Sequence, residues 1–442
     1  MEIYTMKKTL FALAALSAVT GIAHADSSVE LYGVLDVAVG TVSHSYNIDP
    51  TFPGGVNPVS ATKAANSVTG MLSGGIQDSR WGLRGSEDLG QGLKAIFTLE
   101  SGINLPTGAL NSAATALTTN NVTSTSSVQT TSAANSSLNG QLFNRQAWVG
   151  LSDATYGTVK LGRNYAPIYD IAVDYDPVQN AQLFSPIGFS GTLGGGGGVS
   201  ENTRQDNSVK YSNKIGQVNF GAMYKMGNQA GSFSAQSAYA FNLGYEDAKF
   251  GVQAAYQNAT DALKTGTAGS TSALASPANS LNVTAYNTSA WFLAAKYKVT
   301  TEGTIKVGYE RYTLKAASDT VNATTLPVIY GFATNTSTGG VSSYAGADQP
   351  TDIYFIGGDY NLTSALNLAA GYYLQKPAAY SNKIGVTNTY YSFLADYKFS
   401  KRTDVYAGLM FSNFSDTSNS SSPNNGYIAN NSIYAVGIRH KF

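Results

Sequence analysis

Sixteen segments of this chain alternate with a period of two, and their connections switch regularly between a few residues and long Ser/Thr/Asn/Gly-rich stretches. A period of two sorts side chains onto the opposite faces of a strand. The first segment is VELYGVLDVAVGTV, from Val29. SRWGLRGSE and GLKAIFTLESGIN flank the tight turn DLGQ, and QLFNRQAWVGLS is followed after DATYG by TVKLGRNY. The pattern continues to TYYSFLADYKF and DVYAGLMFSNF around SKRT, and closes on SIYAVGIRHKF. The long connections cover approximately residues 43–76, 105–140, 166–203, 258–288, 316–350, 377–388 and 416–430, with a shorter one near 227–234.

A soluble sandwich gives no reason for so one-sided a bias. A transmembrane β-barrel requires it, with short turns on the periplasmic side and long loops outside. Dimensions agree: strands of about 10–12 residues at ~3.3 Å rise are ~33–40 Å long. Tilted by ~45°, they span ~23–28 Å, the height of the apolar band of an outer-membrane barrel. Closure removes the sheet edges and satisfies the backbone inside lipid. Sixteen strands also make a barrel too wide for side chains to fill, which leaves an aqueous channel. The expected fold is all-β, a 16-stranded antiparallel transmembrane β-barrel over residues 26–442, its last strand pairing with its first.

Several features place this barrel outside the cytoplasm. Lys7 and Lys8 precede the apolar run LFALAALSAVTGIA, and Ala23-His24-Ala25 offers a cleavage site, so residues 1–25 read as a signal peptide. Removing Lys7, Lys8 and Glu2 from 27 basic and 27 acidic residues leaves 25 and 26, so no net field recruits nucleic acid. No stretch after Ala25 approaches the ~20 apolar residues of a spanning helix. A mean hydropathy of −0.11 fits a wall with one apolar and one wet face. Tyr211, Tyr224, Tyr245, Tyr256, Tyr297, Tyr309, Tyr360, Tyr372, Tyr397 and Tyr406 lie near strand ends, as interfacial girdles do.

Enzymatic chemistry has little to stand on. Beyond the leader the histidines are His44, placed in a polar loop, and His440; there is no cysteine and no G-x-S-x-G. Clustered metal ligands are absent, and the run Gly194–Gly198 lacks the Lys-Ser/Thr of a phosphate loop. No cofactor is expected.

Taken together and in order, VELYGVLDVAVG, SRWGLRGSEDLGQGLKAIFTLESGIN, LFNRQAWVGLS, GTVKLGRNY, RQDNSVKY and the terminal GIRHKF resemble the trimeric general diffusion porins of Gram-negative outer membranes, beta-proteobacterial branch. The resemblance implies a homotrimer, passive diffusion of ions and small hydrophilic solutes, contact with outer-membrane lipid and lipopolysaccharide, and a third long loop folded into the lumen. A substrate-specific channel with a saturable site is the alternative. Tyr434 and the terminal Phe442 resemble the signal read by the barrel assembly machinery.

Pores select by width and by the charges at the narrowest point. Alternation puts Arg80 and Arg84 on one face of the second strand and Trp81 and Leu83 on the other, with Trp148 also read as outward. Arg145 opens the fourth strand, Arg163 lies near the outer end of the fifth, and Arg204 starts the sixth. These five arginines are the expected constriction wall. The family pattern opposes such a wall with carboxylates on the infolded loop, here Asp170, Asp174 and Asp176, with Glu201 near its end. Opposed rows set up a transverse field reaching about 8–10 Å at ordinary salt.

Overall fold

A computed structural model describes residues 27–46, 64–110, 142–187, 204–228, 231–260, 264–265, 283–284, 286–316, 348–377, 387–415 and 428–442. The expected leader, the glycine run and Glu201 lie outside these residues. The barrel strands are β1 (Ser28–Tyr46), β2 in two segments (Ala64–Ser73 and Arg80–Gly90), β3 (Leu93–Asn104) and β4 (Gln146–Asp153). Next come β5 (Gly157–Tyr165), β6 (Arg204–Ile215), β7 (Val218–Lys225), β8 (Ala238–Glu246) and β9 (Phe250–Ala259). The longer strands follow: β10 (Tyr286–Lys298), β11 (Gly303–Ala316), β12 (Gln349–Asn361) and β13 (Leu366–Pro377). The set ends with β14 (Thr387–Lys398), β15 (Thr403–Ser415) and β16 (Ile428–Lys441).

Every neighbour in this series pairs antiparallel, and β16 closes on β1 with Val37 opposite Ile438. The result is a closed 16-stranded barrel. At the seam, the Gly33 and Phe442 backbones exchange two hydrogen bonds of 3.1 Å. A methyl group on Gly33 would come 2.3 Å from the Phe442 ring, so glycine is needed where the terminal aromatic lies across β1. Along β16, Tyr434, Val436, Ile438 and Phe442 are exposed on the outer face. Arg439 is buried on the inner face, its Nη2 3.0 Å from Asp404 and 3.4 Å from Asp396.

Two features depart from the sequence reading. Residues 43–76 are not one loop: β1 continues to Tyr46, carrying His44, and Ala64–Ser73 pairs with its upper half. The polar composition of this hairpin hides it, because its backbone is paired although few of its residues are apolar. Between the segments of β2 the chain leaves the sheet at residues 74–79, so β1 pairs with the upper segment from Val37 and with the lower segment up to Val34.

The lumen is not empty. After β5, the helix α1 (Pro167–Tyr175) starts on a proline, which suits the first helical turn where a backbone donor has no partner. Its Ile168, Ile171, Ala172 and Tyr175 follow helical spacing and are buried, packing the helix inside the barrel against β7–β11. Beyond it, Val178, Ala181, Leu183, Phe184 and Ile187 are buried too. The third long loop therefore folds into the channel, as the resemblance implied.

Candidate pore constriction

The infolded loop is fixed along its length by wall residues. Lys210 of β6 pairs with Asp170 near the start of α1. Lys296 of β10 lies 4.7 Å from the Tyr175 ring centre while pairing with Glu246 at 2.8 Å. Lys306 of β11 donates to the Asp176 carbonyl at 3.0 Å. The Asp176 carboxylate accepts the Tyr373 hydroxyl at 2.5 Å and the Asn180 amide at 2.5 Å. Further on, the Phe184 ring rests on Gly408, where a methyl group would come 2.7 Å from it.

The far end of the loop docks on the interruption in β2. The amides of Gln182 and Leu183 donate to the carbonyls of Ile76 and Gly75 at 3.2 and 3.0 Å. This interruption is itself shaped by Asp36 of β1, whose carboxylate accepts the consecutive amides of Gly75, Ile76 and Gln77 at 2.9, 3.0 and 2.8 Å. Tyr406 of β15 donates its hydroxyl to the same carboxylate, and Ser79 Oγ bridges the Asp36 backbone. Tyr406 is thus buried on the inner face, not part of a girdle. The acid amid the apolar residues of VLDVAV was the available signal for this latch.

On the β2–β6 wall, Arg145 is the centre of a buried cluster. Its Nε donates to Glu100 and its Nη1 to Asp78, both at 2.8 Å, and its Nη2 to the Tyr165 hydroxyl at 2.7 Å. Arg80 Nε lies 3.5 Å from Glu100, which also accepts the Tyr32 hydroxyl at 2.9 Å. Arg204 Nη2 is 3.9 Å from Asp78, with the guanidinium 5.2 Å from the Tyr165 ring centre. Tyr165 in turn stacks on Tyr169 of α1 at 4.6 Å, tying the start of the infolded loop to this cluster.

The five expected wall arginines therefore separate. Arg80, Arg145 and Arg204 come together, with side-chain exposures of 21%, 7% and 4%. Arg80 alone of these three keeps an appreciable part in the channel. Arg163 is buried apart, donating Nε to the Asn144 carbonyl at 2.8 Å and pairing with Asp206, beside a register shift at Gly162–Asn164. Arg84 pairs with Glu30 at 2.8 Å, both more than half exposed, near the periplasmic mouth. Four residues down its strand from Arg80, it lies ~13 Å from the cluster along the strand.

The loop acids separate in the same way. Asp170 is occupied by Lys210, and Asp174 is exposed to the channel. Asp176 is completely buried and serves as an anchor, since Tyr373 and Asn180 enclose its carboxylate. Enclosure within the lumen pushes the Asp174 carboxyl above its usual range, with Lys296 pulling the other way and Glu246 adding to the rise.

Sequence reasoning missed Lys160, Lys210 and Trp148. Val149 and Leu151 are the outward residues of β4, so Trp148 faces the lumen, with Lys160 Nζ 4.2 Å from its ring centre. Alternation was visible in QAWVGLSD, but its phase was assigned by the bulk of Trp148. The inner wall of β2–β6 thus carries Arg80, Arg145, Arg204, Lys160 and Lys210 against Asp78, Glu100 and Asp170 of the loop, a surplus of two positive charges.

A closed barrel with a wet, charged slot and an infolded loop has the architecture of a diffusion channel, and the sequence comparison decides which one. Residues 12–346 and 322–417 match the Gram-negative porin family. The chain belongs to that family. The porin is similar to an outer membrane porin protein of Bordetella pertussis, 29% identical over 99% of this chain and 100% of the relative. It is also similar to outer membrane porin protein 32 of Delftia acidovorans, 31% identical over 54% of this chain and 50% of the relative. Its fold matches the anion-selective porin from Comamonas acidovorans with a TM-score of 0.61 at 21% identity, covering 94% of this chain and 100% of that one. The porin is accordingly an outer-membrane channel for passive diffusion.

Proposed function

We propose that this porin is a general diffusion channel whose ion preference is set by a transverse polarisation between Arg80 and Asp174. Arg80 lies on β2 and is itself part of the surplus of two positive charges on the β2–β6 wall. Asp174 lies on α1 where it feels Lys296 and Glu246, on the side of β10. Strands β2 and β10 are eight apart in a ring of sixteen, hence on opposite sides of the lumen. This placement of the part-exposed Arg80 opposite the exposed Asp174 carries the reading. Arg145 and Arg204 hold Arg80 and the loop in place, and the basic side favours anions.

The porin works as a homotrimer after removal of residues 1–25. The outward face of β1–β5 exposes aliphatic side chains such as Val39, Met71, Val149, Leu151 and Leu161. From β8 onward the outward side chains include Tyr239, Phe241, Tyr297, Tyr354 and Tyr397. Aromatic girdles belong at the headgroups, and the aliphatic face suits contact with a second copy.

Two variants test the polarisation in planar bilayers under a salt gradient. Arg80→Ser should move the reversal potential toward cations and Asp174→Asn toward anions. A charge ~6 Å from the ion path in water is worth ~0.7 kcal/mol, about threefold in local ion concentration. Unchanged potentials, or shifts in the same direction, defeat the proposal. Conductance that saturates with added solute would favour a substrate-specific channel.

A further inference from the structure

Below the Arg145 cluster, the inner face of β4–β6 carries an aromatic ring and two adjacent lysines. Val149, Leu151 and Leu161 are exposed on the outer face, so Trp148, Gly150, Lys160 and Gly162 turn inward. Trp148 is five residues above Asp153 at the periplasmic turn. At ~3.3 Å per residue and ~45° tilt this is ~12 Å of height, on the periplasmic side of the charged slot. Trp148 Nε1 donates to Gln146 Oε1 at 3.0 Å, which fixes the indole edge against its own strand. Register places Gly162 beside Trp148, and Gly150 follows on β4, so neither neighbour has a side chain to cover the ring.

Lys160 and Lys210 are directly paired across β5 and β6. Lys210 is matched by an acid: it pairs with Asp170 and donates to the Tyr165 carbonyl at 2.9 Å. Among the described residues Lys160 has no ion pair, and its Nζ stands 4.2 Å from the Trp148 ring centre. Like charges side by side on a sheet repel, and an anion held between them removes the repulsion. At a wet site a cation over a ring gains little. A lysine on its flexible four-carbon stem can leave the ring for a better partner.

We infer that Trp148 and Lys160 form a subsite for flat aromatic carboxylates, with benzoate as the simplest case. The solute's ring takes the indole face that Lys160 covers, and its carboxylate takes the Lys160 ammonium on the side toward Lys210. One molecule then satisfies both halves of the contact, ring on ring and ion on ion. An aliphatic anion of the same size gains only the second, and a neutral ring only the first. Two contacts hold a solute weakly, at about millimolar concentration, so the subsite delays this class without closing the pore to others. The subsite needs an open lumen but not the polarisation between Arg80 and Asp174.

Single-channel recording in planar bilayers tests this with benzoate, cyclohexanecarboxylate and benzamide added in turn to wild type. Benzoate should lower the chloride conductance with a half-saturating concentration about two- to tenfold below that of cyclohexanecarboxylate, and benzamide should act more weakly than benzoate. Trp148→Leu should abolish the preference for benzoate over cyclohexanecarboxylate, while Trp148→Phe keeps most of it. Lys160→Gln should remove most of the difference between benzoate and benzamide. Equal effects of benzoate and cyclohexanecarboxylate on wild type, an undiminished preference in Trp148→Leu, or an unchanged benzoate effect in Lys160→Gln would each overturn the subsite. Should Trp148→Leu fail to insert, Lys160→Gln and the three probes on wild type carry the comparison. A failed polarisation shows instead in the reversal potentials of Arg80→Ser and Asp174→Asn, measured without any of the three probes.

Discussion

Removing one hydroxyl, with Tyr406→Phe, should loosen the constriction without touching a lumen charge. Tyr406 donates to Asp36, and Asp36 holds the segment whose carbonyls receive the far end of the infolded loop. Phenylalanine keeps the edge contact with Phe184, whose ring centre is 6.3 Å away, so the packing stays. The three amide bonds to Asp36 also remain, which should keep the barrel folded. A hydrogen bond to a charged group contributes about 1.5–3 kcal/mol. If that energy holds the docked loop, its loss multiplies the undocked population by about ten to a hundred. Single-channel recording reads this directly: brief closures and sub-levels become more frequent and the closing voltage falls, while the reversal potential is unchanged. Asp36→Asn should go further, because it weakens all four contacts at once. If Tyr406→Phe matches wild type in noise and closing voltage, the latch does not govern the loop.

Arg145→Ala should damage stability more than selectivity, because Glu100 and Asp78 lose their shared partner while nearly buried. Breaking a buried pair in this way costs about 3–5 kcal/mol, readable as a lower unfolding temperature in detergent, whereas Arg80→Ser should unfold close to wild type. Acidification should increase anion preference starting at a pH above the ordinary carboxylate range, since the raised Asp174 carboxyl takes up its proton early and the lumen loses a negative charge. Asp174→Asn should show a smaller change than wild type over that interval in reversal-potential titrations. Deleting Phe442 removes the ring over Gly33 and both seam hydrogen bonds, so the yield of inserted barrel should fall while the conductance of the barrels that do form is retained.

The barrel was legible because it repeats one physical rule many times. Each strand must show one face to lipid and one to water, so period two survives local exceptions and the spacing of turns fixes the strand count. What stayed hidden were places where a different constraint replaced that rule. Ala64–Ser73 pairs with β1 near the extracellular rim, where neither face need be strongly apolar, and it reads as loop. Trp148 is bulky and apolar, yet it faces water because Lys160 covers its ring. Tyr406 has the residue type of a girdle, but its hydroxyl is required by an acid 370 positions away.

At the constriction, the sequence identified charges without their partners. Arg80, Arg145 and Arg204 share a motif context, yet their exposures differ because Asp78 and Glu100 close around Arg145 and leave Arg80 on the rim. Asp174 and Asp176 are two residues apart, on a helix and just beyond it, and that step turns one toward the channel and the other into the wall against Tyr373. A buried guanidinium or carboxylate whose hydrogen bonds are filled contributes architecture, and its field is cancelled close by. Selectivity is left to charges that the architecture does not consume. For this reason the buried Arg145 and Asp176 should report on folding, and the part-exposed Arg80 and the exposed Asp174 on permeation, although all four carry the same residue types in neighbouring positions of the same pore.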